Sequence, residues 1–407
     1  MNHSEHSGDA QVLSKIEVVR TLDQVERSDW NALVDEDDPF SEWEFLAALE
    51  DSGTVGSSTA WQPRYVLLRE NGALVGACAM YVKYDSYGEF IFDWQWAEAY
   101  ANAGISYYPK AVVAIPFTPV AGDRLLTGSG PDSRSRALVL ANALTDVVVS
   151  EGLSGLHVLF ANRDEHDLLT SGAQQDLLSN GAMMSRLSHQ YHWENRGYAK
   201  FDDYLSDLRS KKRKQVNKER ACVAATGLDV RIVAGDDIRV EHMDAIWRFY
   251  QHTQVRKWGQ GYLNRETFER LWQDFRHRLV LVLAFDGSEA IAGTLNVRKG
   301  RRLLGRYWGC IKDVESLHFE CCFYKLIEYA IAEGLELFEA GAQGEHKFLR
   351  GFAARPTYSA HWLAHEGGRR AIADYLARER EHIGDLIQHY NASSPLKPVR
   401  AAAAEKT

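Results

Sequence analysis

Ionisable and small residues crowd together between Leu303 and Pro356. The stretch runs Leu-Leu-Gly-Arg-Tyr-Trp-Gly-Cys from Leu303, Leu-His-Phe-Glu-Cys-Cys-Phe-Tyr-Lys from Leu317, and Phe-Glu-Ala-Gly-Ala-Gln-Gly-Glu-His-Lys from Phe338. Its patterning predicts a strand, a helix, a second strand and a Gly-punctuated polar loop, so side chains from three elements converge on one cleft. Such a convergence is the layout of a site.

On the predicted helix His318–Glu333, Phe319, Cys322, Phe323, Leu326 and Ala330 form a core stripe, and His318, Cys321, Lys325 and Glu328 a polar one. Glu320 belongs to neither stripe. It is expected partly buried near the helix N-terminus, as a general base or ammonium anchor or as a capping carboxylate. Glu339 lies in an otherwise apolar strand, where a charge needs a partner; Lys347, Arg350 and Arg306 are the candidates. The loop Gly341–Lys347 adds Gln343, Glu345, a second base candidate in His346, and Lys347 as a contact for phosphate or carboxylate. Tyr307 and Trp308 wall a substrate pocket or belong to the core. The expected catalytic residues are therefore Glu320, Glu339 and His346, with Arg213, Tyr307, Trp308, His318, Gln343, Glu345, Lys347 and Arg350 as substrate contacts. Cys310, Cys321 and Cys322 have no His at ligand spacing and read as small apolar residues, so no metal is expected.

The elements that hold these residues belong to a chain of 407 residues, 45% hydrophobic, long enough for two domains. A net charge of −9 argues against a generally nucleic-acid-binding surface. Five cysteines without a C-x-x-C pair suit a reducing compartment. With no apolar leader and no membrane-spanning run, the expected location is the cytoplasm.

Short helices are predicted over Leu22–Val34 and Pro39–Ser52, a hairpin over Arg64–Arg69 and Leu74–Lys83, a strand over Ala111–Ile115, a helix over Arg134–Glu151 and a strand over Leu153–Phe160. The second half repeats the order. Leu279–Phe285 and Ala290–Arg298 form a hairpin, and helix His318–Glu333 ends in Glu-Gly-Leu as the earlier helix does at Glu151–Leu153. Two diverged copies of one α/β unit are implied, with a seam near Gly197 and an aromatic insertion, Asp85–Asp123, in the first. The expected division is a disordered leader over 1–15, domains over 16–196 and 197–392, and a loose tail over 393–407. The basic run Arg209–Arg220 reads as part of one helix, Phe201–Ala225. It is either a solvated face or an anion-facing surface for a phosphate-rich substrate or an RNA acceptor end.

Tyr307-Trp-Gly-Cys, Leu317-His-Phe-Glu, Phe338 to Lys347 and Thr357-Tyr-Ser-Ala-His-Trp362, with Pro39-Phe40-Ser41 and Phe45-Leu46 near the start, resemble the FemAB-like family of tandem acetyltransferase-fold proteins labelled peptidoglycan biosynthesis or recognition. The resemblance implies an α/β (α+β) fold of two tandem GNAT-like domains, each a mixed, mostly antiparallel sheet flanked by helices. It also implies acyl or aminoacyl transfer to a small-molecule or peptide amine. Lys347-Phe348 and Gly351-Phe352 resemble elements of the Fem aminoacyltransferases, which draw amino acids from charged tRNA. The long charged arm that some of them carry is absent here.

No tightly bound cofactor is expected, and the donor stays open between aminoacyl-tRNA and acyl-CoA. Acetyl-CoA-dependent relatives hold pyrophosphate on a Gly-rich loop at a helix N-terminus. The loop Lys312–Leu317 lacks such glycines, whereas Gly128 and Gly130 precede a helix in the first unit and keep acetyl-CoA-dependent N-acetylation as an alternative. A non-catalytic module that recognises a cell-wall precursor or peptide is the other.

Overall fold

A computed structural model describes residues 13–171, 178, 181–258, 261–341, 344 and 346–398. Its frame is one sheet of twelve strands. The first six are β1 (Ser14–Val19), β2 (Trp61–Glu70), β3 (Ala73–Lys83), β4 (Lys110–Val113), β5 (Gly155–Ala161) and β6 (Met184–Glu194). The second six are β7 (Asp229–Ala234), β8 (Leu279–Asp286), β9 (Glu289–Lys299), β10 (Arg302–Cys310), β11 (Leu337–Glu339) and β12 (Ala353–Leu363).

The strand order is β1-β2-β3-β4-β5-β12-β6-β11-β10-β9-β8-β7, and its two halves mirror each other. In each, four strands pair antiparallel, and the fourth then runs parallel to the fifth. The crossover between those parallel strands is made by a helix, Ser133–Ser150 in the first half and the helical stretch from Leu317 to Ala332 in the second. The sixth strand of each half crosses to the other: β12 pairs with β5, β6 pairs with β11, and the two exchanged strands pair with each other. The seam expected at Gly197 follows β6, but the sheet is not divided there.

Strand alternation sorts the core. On one face Tyr65, Leu67, Leu281, Leu295 and Leu304 join a single apolar cluster that spans both halves and buries the helices Trp43–Asp51 and Arg265–Asp274. On the other face each half has its own cluster. Val66 and Leu68 meet helix Ser133–Ser150, while Val280, Leu303 and Phe338 meet the stretch from Leu317 to Ala332. The architecture is the expected mixed α/β one.

Several expectations need correction. β1 begins at Ser14, inside the leader expected over 1–15, whose residues 1–12 lie outside the described ones. The tail expected from residue 393 is docked at its start, where buried Leu396 bridges to Leu208. The helix expected over Phe201–Ala225 is two, Phe201–Asp207 and Ser210–Ala224, because Leu208 is extended and buried while Arg209 bonds to the Pro395 carbonyl. Helix His318–Glu333 contains a wide π turn over Glu320–Tyr324. The extra residue in that turn rotates the faces, so Cys321 is fully buried and Cys322 is not, the reverse of the straight-helix reading. Among the described residues no helix is long and apolar enough to cross a membrane.

Candidate active site

β10 and β11 run parallel from Arg302 opposite Leu337 to Leu304 opposite Glu339, and then part. β10 bulges there, its register with β9 shifting between Gly305 and Tyr307. β11 ends at Glu339, and Gly341 turns away with a φ of +84°, a conformation that favours glycine. The two strands stay close as they separate. A Cβ on Gly305 would lie 3.3 Å from the Glu339 carbonyl oxygen, and one on Gly341 would lie 3.6 Å from that of Gly305. The sheet thus opens between two backbones lined by glycine.

Lys347 reaches into this opening. Its Nζ donates to the Gly341 carbonyl oxygen, the residue is 3% exposed, and it forms no ion pair with a described residue. Burial pulls its pKa down to about 7. Residue spacing had suggested only a contact role for Lys347. The geometry makes it the amine nearest the parted strands that titrates in the neutral range.

Alternation along β10 sends Tyr307 and Trp308 to opposite faces. Tyr307 packs 5.0 Å from Tyr250 in the shared core. Trp308 meets the His318 ring at 5.3 Å, and His318 in turn lies 5.6 Å from His346. His346 is half-buried, and burial, with Lys347 and Arg350 nearby, lowers its pKa. Trp308, His318 and His346 therefore gather beside Lys347 on one face, with Tyr307 on the other. Gln343 and Glu345 lie outside the described residues.

Glu339 faces the same side as Tyr307. Its Oε1 accepts from Arg302 Nη2, and His192 Nε2 is 3.7 Å from Oε2. Burial would raise the carboxyl, but Arg302 and His192 outweigh it and hold the pKa below the usual carboxylate range. None of the expected partners Lys347, Arg350 and Arg306 takes this role. Arg302 does, because it projects from the neighbouring strand on the same face, and sequence spacing gave no sign of it. Glu339 Oε2 has no hydrogen-bond partner among the described residues. It lines a cavity of about 460 Å³ shared with Asp35, Asp37, Asp38, Asp123, Asp164, Arg163 and Arg302, in which carboxylates outnumber guanidinium groups. A hollow of about 930 Å³ beside edge strand β7 is larger, but it contains none of these residues.

Glu320 is placed otherwise than expected. Both its oxygens receive the Arg220 guanidinium, at 3.2 and 3.0 Å, in the seam between the π turn and helix Ser210–Ala224. Burial raises its pKa and Arg220 opposes the rise. It neither caps the helix nor stands free as a base. Arg350 is equally committed: Nη2 donates to Glu219 at 2.8 Å, Nε to the Tyr324 hydroxyl at 2.8 Å, and the guanidinium lies 3.6 Å over the Phe319 ring. Arg213 is half-buried on the same basic helix. Arg209, Lys211, Lys214 and Lys218 are exposed and form no ion pair with a described residue, so the helix presents one free basic side and one tied to the π turn.

Gly128 and Gly130 do precede a helix, Ser133–Ser150. The Gly128 N–H, however, is spent on the Leu33 carbonyl at 3.2 Å. The adjoining hollow of about 570 Å³ is lined by Asp123, Asp164, Glu165 and Asp167 against Arg134. Burial and Asp123 push Glu165 up to about 8, so the negative charge of this hollow comes from Asp123, Asp164 and Asp167. So acidic a surface does not suit a pyrophosphate, and the expected cofactor contact at Gly128 and Gly130 is not supported by its surroundings.

A model of the FemAB-like family, described as peptidoglycan biosynthesis/recognition, matches residues 21–398. No curated protein matches the sequence. Among solved structures, the C-terminal DUF2156 domain of a protein described as a lysylphosphatidylglycerol synthetase from Agrobacterium fabrum aligns with a TM-score of 0.51 at 9% identity. The alignment covers 86% of this chain and 94% of that one, a likeness of fold alone. FemX aligns at 0.49 with 11% identity over 88% and 100% of the two chains. L-PGS from Bacillus licheniformis aligns at 0.48 with 12% identity over 85% and 98%.

Proposed function

The chain belongs to the FemAB-like family, and from that premise we propose that it transfers an aminoacyl or acyl group to an amine where β10 and β11 part. The reading takes residues 16–196 and 197–392 as the two GNAT-like domains, with the site in the second. The observation that carries it is Lys347, a buried amine with a pKa of about 7 at a glycine-lined opening.

Neutral Lys347 takes a proton from the attacking ammonium, and the freed amine nitrogen bonds to the acyl carbonyl carbon. The Lys347 ammonium then faces the oxygen of the tetrahedral intermediate. When the ester C–O bond breaks, the leaving oxygen receives the second proton of the attacking nitrogen, and Lys347 releases the first to solvent. Ammonium and ester become amide, alcohol and one released proton, and Lys347 is regenerated. The acidic cavity that Glu339 lines suits an acceptor with a second cationic group, apart from the reacting amine, and Glu339 Oε2 has no hydrogen-bond partner among the described residues to compete for it. The exposed basic side of helix Ser210–Ala224 favours aminoacyl-tRNA over acyl-CoA as donor. Such a donor belongs to the cytoplasm, where this reading puts the protein. His346 and His318 flank the donor side.

The test is incubation of the purified protein with charged tRNA and peptidoglycan-precursor peptides, with the new amide read by mass spectrometry. An acceptor gaining one amino acid, and none with Lys347→Met, is expected. Equal transfer by the folded variant overturns the role of Lys347, and transfer from acetyl-CoA alone overturns the donor.

A further inference from the structure

The acidic cavity at Glu339 and the hollow beside Gly130 share Asp123, Asn162 and Asp164, so the two, of about 460 and 570 Å³, form one trough. It runs from the end of β11, past the N-terminus of helix Arg163–Thr170, to Ser133 at the start of helix Ser133–Ser150.

Part of its charge is already answered. Arg301 pairs with Asp37 at 3.2 Å, Arg163 with Asp167 at 3.7 Å, and Arg302 with one oxygen of Glu339. Burial lowers the pKa of His192 and raises that of Glu165, so both are largely uncharged at neutral pH. Asp35, Asp123 and Asp164 form no ion pair with a described residue, and Asp38 has only Arg124, at 3.9 Å. Burial raises the pKa of Asp123, and Asp35 and Asp38 add to the rise against the Asn162 hydrogen bond. These carboxylates repel one another, and the lining cation left unpaired among the described residues, Arg134, is exposed.

Acids alone would make a solvated face, but Glu339 points to a ligand. It is 3% exposed, and its Oε2 accepts no hydrogen bond from a described residue, with His192 Nε2 standing 3.7 Å away. A buried carboxylate oxygen left open is costly unless a ligand supplies the donor. The acids do not converge, and among the described residues no three His, Cys, Asp or Glu are placed to hold a metal ion. Apolar walls lie between them: Ala121 and Leu337 in the first part, Leu125, Ala137 and Leu168 in the second. Spaced carboxylates on such walls select ammonium groups separated by methylenes, each charge facing an acid and each spacer lying on hydrocarbon. Both parts have the volume of a small-ligand site.

We propose that the trough binds a linear polyamine, with one ammonium at Glu339, another among Asp35, Asp123 and Asp164, and a terminal amine presented to the parted strands. The fate of that amine rests on the transfer reading. Its nitrogen bonds to the acyl carbon as the ester C–O bond breaks, and its two protons leave through Lys347 and the leaving oxygen. Binding does not depend on that reading.

Calorimetric titration of the full chain with spermidine, 1,4-diaminobutane and Mg²⁺, all without a donor, tests the binding. Spermidine should bind at least about tenfold more tightly than the diamine, and the diamine more tightly than Mg²⁺, which has the same charge and no methylenes. Asp35→Asn with Asp164→Asn, exposed and isosteric changes, should weaken spermidine about tenfold, as should Glu339→Gln. No binding, equal affinity for the three cations, or full affinity in both folded variants overturns the site. So does trilysine binding more tightly than spermidine, which would make the trough a peptide surface. With charged tRNA added, mass spectrometry should find spermidine heavier by one amino acid. Bound spermidine left unmodified while a precursor peptide is aminoacylated overturns its role as acceptor and not the transfer reading. No amide on any amine, with spermidine bound as expected, overturns the transfer reading and not the site.

Discussion

Lys347 folds back to donate to the carbonyl oxygen of Gly341, so the loop after β11 closes on its own beginning and holds an amine where the strands part. No described carboxylate offsets that amine. Lys347→Met should preserve the loop's packing and lower the rate of amide formation by about 10²–10⁴-fold, the usual worth of one proton-transferring group. Lys347→Arg should not rescue it, because guanidinium stays protonated. Single-turnover rates on protein of verified fold decide the point.

The same residue sets a pH limb. Acting first as a base, Lys347 must be neutral, so kcat/KM should rise with pH through a midpoint near its pKa of about 7. A pH profile measured with an acceptor amine that titrates well above this range should show that limb, and Lys347→Met should lack it in its residual activity.

Stability should follow with a defined sign. The folded-state pKa of Lys347 lies below its ordinary value of 10.5. Between about pH 7 and 10 the unfolded chain therefore binds more protons, and stability rises with pH by up to about 1.4 kcal/mol per unit. Below pH 7 both states are protonated and the contribution is lost. Lys347→Met should remove the rise and be the more stable protein at neutral pH, as urea midpoints across pH 6.5–9.5 would show.

Glu339 and Arg302 form a buried pair, 3% and 14% exposed at Glu339 as a residue and Arg302 as a side chain. Removing one partner strands the other, so Glu339→Ala should cost about 3–5 kcal/mol in chemical denaturation. Glu339→Leu with Arg302→Met should recover most of it. Glu339→Gln should fold and raise the KM for a cationic acceptor about tenfold, leaving the KM for the donor unchanged.

The sequence made some of this legible and hid the rest for physical reasons. Hairpins β2–β3 and β8–β9 follow from apolar alternation around Gly-containing turns, and the repeated helix endings at Glu151 and Glu333 revealed the two units. β6 escaped notice because Ser188, His189, Gln190 and His192 break the apolar pattern of a central strand. They are tolerated because polar cavities flank it, His192 lining one and Ser188, His189 and Gln190 another. The cleft loop stood out through its crowd of ionisable residues, yet their division between two sheet faces depends on the bulge at Arg306, and the faces of Cys321 and Cys322 depend on a π turn. Neither leaves a mark in residue spacing. Arg302 lay just before the motif, and only the parallel register shows that it, and no loop residue, answers Glu339.

The basic helix offers the test that separates donors. Arg209, Lys211, Lys214 and Lys218 stand exposed, while Glu219 and Arg220 on the same helix are bound to Arg350, Tyr324, Glu320 and Glu328. Charge removal on the exposed side therefore leaves the seam with the π turn intact. Replacing Lys211, Lys214 and Lys218 by Ala should raise the KM for charged tRNA and leave kcat unchanged. The slope of log affinity against log salt should flatten by roughly 0.7–0.9 for each phosphate the variant no longer neutralises. A donor that carries no polyanion, such as a free aminoacyl ester, should be used equally well by variant and parent. If the tRNA KM is also unchanged across salt, the helix is a solvated face and the donor's phosphates bind elsewhere.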